Sequence, residues 1–490
     1  MLGSVRSGWL IPSGPCQRLF DFSRHRLRGE PSDPEEDSMS RLVRSRSRLA
    51  VAGVAAAASL LLAACGSSGA ASGGTGNAAG TGSSPGTAGS GNVVNLTFWS
   101  WVPGIQTSVN LWNKTHPDIQ VHLDETTSGT AGTYAKMFSA LKAGNAPDLG
   151  QVEYSVLPNF EHVGGLDNIA PYVNGFKKDF LGWTWNQVSL GSDVFAVPQD
   201  VGPEALFYRA DLFKKYGLAV PTTWQQYLSD AEKLHAANPN AYIAAFPAAD
   251  TQWFAGLAWQ AGSDWFTTSG NSWLVNFTSN SSAKVASLWQ ELISKHLVKV
   301  EPDFANGWYK DLSDGTLLTW PSAVWGESTL MTNAASTKGD WRVAPLPSWG
   351  STPSDGDYGG STTVVFKDSK HPKQAAEFAA WLNTNQQSIT SLITKGGLYP
   401  ADAQGEKQSA DNSPVAFYGG QNIWKVFAQG AAEVNTNFRW GPIMSTTFTQ
   451  LGDAFSAAAA GSGTLSSALS KAQSETLSTM KQQGFAVKAG

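Results

Sequence analysis

From Val94 the chain alternates apolar and polar residues, with Val94, Leu96 and Phe98 set against Asn95 and Thr97, and the same period returns at Ile119, Val121 and Leu123. Alternation of this kind predicts strands with one buried face. Between them Ile105, Val109 and Trp112 fall at helical spacing. Tyr134, Met137, Phe138 and Leu141 repeat that spacing before a stop at Gly144-Asn145-Ala146-Pro147, and an apolar run follows from Leu149 to Val152. Strand, helix, strand, helix, strand is the order of βαβ units, so the spacing predicts an α/β fold on a parallel sheet. Further on, Thr223 and Gln226 form a capping box ahead of a helix carrying Trp224, Tyr227, Leu228, Ala231 and Leu234. A strand is expected from Thr362 to Phe366, and Pro372 opens a helix with Ala375, Phe378, Ala379 and Leu382. The region from Ala410 to Gly490 is mostly helical by composition.

The N-terminal pattern is different. Met39 opens a segment with Arg41, Arg44, Arg46 and Arg48, followed by an uncharged run from Leu49 to Leu62 and then Ala63-Ala64-Cys65. A transmembrane helix needs about 20 apolar residues, so the run reads as the apolar part of a secretory signal, residues 39–64. Leu62-Ala63-Ala64-Cys65-Gly66 resembles a lipoprotein lipobox, which makes Cys65 the expected lipidated N-terminus. Residues 1–38 lie upstream of a complete signal and read as a start site placed too early. Gly66 to Asn92 has the composition of a flexible coil, and its square-root scaling gives a reach of roughly 30 Å. Without residues 1–64 the chain keeps 25 basic and 33 acidic residues, a formal charge of −8. Cys65 is then its sole cysteine, so no disulfide helps to hold the fold.

Length and charge narrow the function. With 490 residues the chain exceeds one ordinary core and suggests two domains. Its net charge of −5 offers no basic stripe for neutralising phosphates, so nucleic acid is not an expected partner. His116 and His122 are read as solvated, and Asp355-Gly356-Asp357 lacks the further ligands of a calcium loop and is read as a turn. No metal site, phosphate-cradling loop or nucleophile elbow is evident. A glycosidase would need a carboxylate pair across a cleft, for which Glu153, Asp200, Glu204 and Glu327 are available. The 20 Trp, 23 Phe and 11 Tyr residues change the picture most. A pyranose presents apolar C–H faces and a hydroxyl rim, so its site wants flat aromatic walls edged with polar groups.

Several stretches together resemble an extracellular solute-binding protein of the maltose-binding-protein-like kind, which serves bacterial ABC importers for carbohydrates. They are Leu96-Thr-Phe-Trp-Ser-Trp101, Ala146-Pro-Asp-Leu-Gly-Gln-Val-Glu-Tyr154, Phe195-Ala-Val-Pro-Gln-Asp200 through Phe213, Gly359-Gly-Ser361 and Gly397-Leu-Tyr-Pro400. The resemblance implies two α/β lobes joined by hinge strands with the ligand cleft between them. Lobe 1 would take residues 93–203 plus 341–369, and lobe 2 residues 204–340 plus 370–490. By the same likeness Trp101, Trp253 and Trp325 are expected to stack on sugar, while Glu153, Tyr154, Asp200 and Glu327 bond its hydroxyls. Gly359 and Gly360 would let the backbone approach, and Arg439 and Trp440 occupy a further cleft position. No catalytic residue, metal or cofactor is implied. The implied partners are a carbohydrate, a membrane permease pair driven by a cytoplasmic ATPase, and the membrane through the lipid; the receptor itself is expected to be a monomer. A receptor for a polyamine, metal chelate or glycerol phosphodiester is the alternative, followed by a secreted glycosidase or a non-transporting carbohydrate sensor.

Overall fold

A computed structural model describes residues 93–490; residues 1–38, the signal, Cys65 and the linker lie outside the described residues. The strand alternation becomes a parallel pair. β1 (Val94–Ser100) runs beside β2 (Ile119–Glu125), with Val94 opposite Ile119, and Leu96 and Phe98 point into the core without exposure. β3 (Leu149–Glu153) lies parallel on the other side of β1, and the helices Gln106–Thr115 and Tyr134–Ala143 make the crossovers. Five further strands complete the two main sheets: β4 (Ala196–Asp200), β5 (Glu204–Arg209), β6 (Thr319–Ala323), β7 (Trp341–Pro345) and β8 (Ser361–Val365). The first sheet has the order β2-β1-β3-β8-β4, with β8 antiparallel to both neighbours. The second is the antiparallel set β6-β5-β7. Each sheet centres one lobe.

Two boundaries differ from those expected. Trp341 lies opposite Arg209 and Pro345 opposite Ala205, so residues 341–345 belong to the second sheet and the chain returns to the first only near Ser361. The helix Pro372–Thr384, expected in lobe 2, packs on β4 and β8 of the first sheet. Its Phe378 meets Phe98 and Trp112 edge to face, at 5.7 and 5.4 Å between centroids. Strand and helix patterns specify a buried face but not which partner covers it, and the partner decides the lobe. The C-terminal helices Met444–Ala459 and Leu465–Gln482 pair with each other and pack on the helices Thr251–Gln260 and Asn280–Ser294, and the first of them also touches Leu157–His162. Among the described residues no helix is long and apolar enough to cross a membrane.

The capping box is half realised. Thr223 Oγ1 accepts from Gln226 N, but Gln226 Oε1 accepts from Thr222 N, not from Thr223.

Two connections between the lobes run side by side. Residues 201–203 link β4 to β5, and the segment after β7 comes back through Asp357 and Tyr358. Tyr358 N donates to Gly202 O at 2.9 Å, and Gly202 N donates to Asp357 Oδ1 at 2.7 Å. A Cβ at position 202 would lie 2.1 Å from Tyr358 O, a backbone atom that cannot swing aside. Gly202→Ala is therefore expected to cost about 1–3 kcal/mol through overpacking, measured as a loss of unfolding free energy in denaturant titration.

Candidate functional site

The first-lobe wall grows from the ends of β1 and β3. Trp101 follows β1, half-buried, with its backbone N bonded to Gln151 Oε1 at 3.0 Å. Its ring stands edge to face on Tyr134, 5.8 Å between centroids. Tyr134 Oη donates to Glu153 Oε2 at 2.9 Å and accepts from Glu153 N at 3.0 Å, fixing the carboxyl at the end of β3. Burial, against the pull of the Tyr134 hydrogen bond and with the charges of Asp200 and Asp250 adding to it, pushes that carboxyl up to about 7. Asp200 ends β4 and accepts from Ser361 N at 3.0 Å and from Ser361 Oγ; burial raises it to about 6. Tyr154 is 1% exposed, and its Oη has no partner among the described residues.

The second-lobe wall faces it. Trp325 is half-buried, donates from Nε1 to Tyr358 O at 2.9 Å, and meets the Tyr358 ring edge to face at 4.9 Å. Phe304 lies beside it, 5.9 Å between centroids and 43% exposed. It is held at a φ of 55°, a conformation that non-glycine residues adopt at a cost and that clusters at functional sites. Asp250 caps the helix Thr251–Gln260 by accepting from Trp253 N at 3.1 Å, and its other oxygen accepts from Tyr358 Oη. Burial, with the charge of the neighbouring Asp250 and a hydrogen bond to it acting in the same direction, pushes Asp303 up to about 9. Burial raises Glu327 to about 7.

Gly359 and Gly360 join the walls. Their φ values of 94° and 70° exclude ordinary side chains, and a Cβ there would meet Trp325 Nε1 at 3.1 Å and Asp200 O at 3.0 Å. The structure thus brings together Trp101, Glu153, Tyr154, Asp200, Trp325, Gly359 and Gly360, with Glu327 in the first turn of the helix Gly326–Asn333 that Trp325 precedes.

Three expected residues sit elsewhere. Trp253 is 2% exposed, donates from Nε1 to Pro321 O at 3.0 Å and stacks edge to face on Trp289 at 4.7 Å. Its ring belongs to the second-lobe core and cannot also form a wall. Arg439 is exposed and Trp440 buried; both line a cavity of about 270 Å³ with Glu161, Gln187 and Trp273, to which none of the gathered residues contributes. Sequence reasoning missed Tyr134, Asp250, Asp303, Phe304 and Tyr358. Asp250 alone left a sign, as a capping residue before an apolar helix.

Comparison with known proteins identifies the family. The model of the bacterial extracellular solute-binding protein family matches residues 99–389, more than half of the chain. An arabinooligosaccharide-binding protein of Halalkalibacterium halodurans is 24% identical over 362 residues, 70% of this chain and 80% of its own length. The galacto-N-biose-/lacto-N-biose I-binding protein of the Bifidobacterium longum ABC transporter, solved with lacto-N-biose, superposes with a TM-score of 0.74 at 30% identity, over 82% of this chain and all of that one. An ABC transporter associated binding protein from B. animalis subsp. lactis Bl-04, solved with beta-1,6-galactobiose, gives 0.72 at 27% identity over 81% and 100%. The matched family and these relatives are binding proteins rather than enzymes, and they share the two-lobed fold. The chain belongs to the bacterial extracellular solute-binding protein family.

Proposed function

We propose that this protein is the extracytoplasmic carbohydrate receptor of an ABC importer, capturing a mono- or oligosaccharide between its lobes and delivering it to a membrane permease without chemical change. The observation that carries the reading is the pairing of partly open aromatic rings, Trp101, Trp325 and Phe304, with carboxyls from both lobes. Flat rings take the C–H faces of a sugar, and neutral or ionised carboxyls take its hydroxyls. Contacts from two lobes bind the closed form better than the open one, so ligand shifts the population towards closure. The names of its relatives point to the same ligand class.

The five carboxyls of the walls would also suit a polyamine. The desolvation of Glu153, Asp200, Asp303 and Glu327, which favours the uncharged form, supports the sugar instead. Calorimetric titration with a panel of neutral sugars, polyamines and phosphodiesters, with recovered sugars checked for hydrolysis, decides between them and tests the absence of catalysis. Binding of an unaltered sugar upholds the reading; binding of a polyamine alone, or sugar cleavage, defeats it.

Trp325→Ala is expected to weaken sugar binding by about 2 kcal/mol, roughly 30-fold, with little loss of stability. Trp253→Ala should instead lower the unfolding free energy by about 3–5 kcal/mol, the cost of a large core cavity. Calorimetry and denaturant titration on both variants separate wall from core. The receptor acts as a monomer anchored through lipid on Cys65, so Cys65→Ala should move the protein from the detergent phase to the aqueous phase in a phase-partition assay.

A further inference from the structure

Asp355-Gly356-Asp357, whose sequence reads as a turn, carries two carboxyls into the interior beside Glu204. The three residues are 3%, 0% and 1% exposed. Asp355 Oδ1 accepts from Gly356 N at 2.8 Å and Asp357 Oδ1 from Gly202 N at 2.7 Å. Asp355 Oδ2, Asp357 Oδ2 and both oxygens of Glu204 have no partner among the described residues. Glycines close over them. A Cβ on Gly356 or Gly256 would lie 2.5 or 2.8 Å from Glu204 Oε2, and one on Gly430 would lie 2.3 Å from Asp355 Oδ2.

The surroundings offer no compensating charge. The helix Thr251–Gln260 contains no ionisable residue, and β6 presents Ser322, whose Oγ also lacks a partner. The helix Trp424–Glu433 brings Gly430 and Glu433, while its Lys425 is exposed. On β7 the Arg342 guanidinium is bonded to the carbonyls of Gly339 and Trp341. From the first lobe come Asp200 and Tyr154. Among the described residues no three His, Cys, Asp or Glu side chains are placed to hold a metal ion. A proton is the cation that fits, because a protonated carboxyl is neutral and gains the donor that an ionised one lacks.

We propose that Glu204, Asp355 and Asp357 form a proton-held clasp on the hinge, which ties the crossover segments 200–204 and 355–361 together when protonated and loosens them when ionised. Desolvation, with the neighbouring acids adding to it, holds Glu204 and Asp355 well above the ordinary carboxylate range, and it pushes Asp357 up to about 8. Folded-state values raised above the unfolded value of about 4 mean that the stabilisation is complete below about pH 4 and drains away as pH rises through about 8. Acid therefore stiffens the hinge and alkali frees it.

The test is hydrogen exchange on the full chain at about pH 5, 7 and 9, corrected for intrinsic rates, with Tm recorded in parallel. In the wild type the amides of both segments should lose about tenfold in protection across that range, and Tm should fall. Glu204→Gln and Asp357→Asn, which keep a neutral group at all pH values, should match the wild type at pH 5 and exceed its protection and its Tm at pH 9, the latter by about 2 °C or more. Equal pH responses in wild type and variants overturn the clasp. If neither variant folds, infrared difference spectra of the wild type decide: a protonated carboxyl band at neutral pH that disappears by about pH 9 upholds it, and no such band overturns it. None of these readouts needs a sugar, so they stand apart from the carbohydrate reading.

Discussion

Carboxyl groups collect where the chain passes between lobes. Asp200 ends β4 at the edge of the first sheet, Glu204 opens the first strand of the second, and Asp355 and Asp357 lie on the return. Asp200, Glu204, Asp355 and Asp357 are all buried, and no Lys or Arg is among the groups that shift them. An isolated buried charge is so costly that a group in this position neutralises instead. The junction consequently runs on hydrogen bonds from backbone N–H groups: Ser361 on Asp200, Gly202 on Asp357, Gly356 on Asp355. The rest of the molecule depends on this junction, because it sets how the two walls meet.

The walls themselves separate two uses of one residue type. Trp224, Trp253, Trp259, Trp265, Trp289, Trp308 and Trp341 are almost wholly buried. Most of their indole N–H groups have a committed acceptor, such as Gln260, Pro321, Asn435, Ser282 or Thr337. They supply apolar area to lobes that contain no disulfide. Trp101 and Trp325 keep an open face because each stands at the end of a strand, where the sheet no longer covers it. The low proportion of charged residues follows the same economy, since a fold this rich in aromatics covers its polar groups with amides and hydroxyls.

Local order was legible in the sequence wherever one element carries its own pattern. The period of two at Val94–Phe98, the helical spacing of Trp224–Leu234 and the Pro372 start all reappear as strand and helices. What the pattern could not carry was partnership. The strand at Trp341 pairs with β5, because strand pairing is decided by which edge is open and by the burial of Trp341 and Val343 against it. Trp253 fell on the core side for a similar reason: a helix apolar on every face leaves no ring to spare for a cleft.

By itself the sequence determined the α/β class and the strand and helix order from Val94 to Glu153, and it carried the expectation of secretion and lipidation. Each of these rests on residues close together in the chain. Only the tertiary structure decided that Asp250, Asp303 and Tyr358 gather near Trp325 and Phe304 and that Asp355 and Asp357 turn inward. Those groups matter through desolvation and through neighbours far away in sequence: Tyr358 on Asp250, Gly256 and Gly430 over Glu204 and Asp355. Burial is a property of the packed chain, and a carboxyl carries no local mark of whether it will face water or another acid.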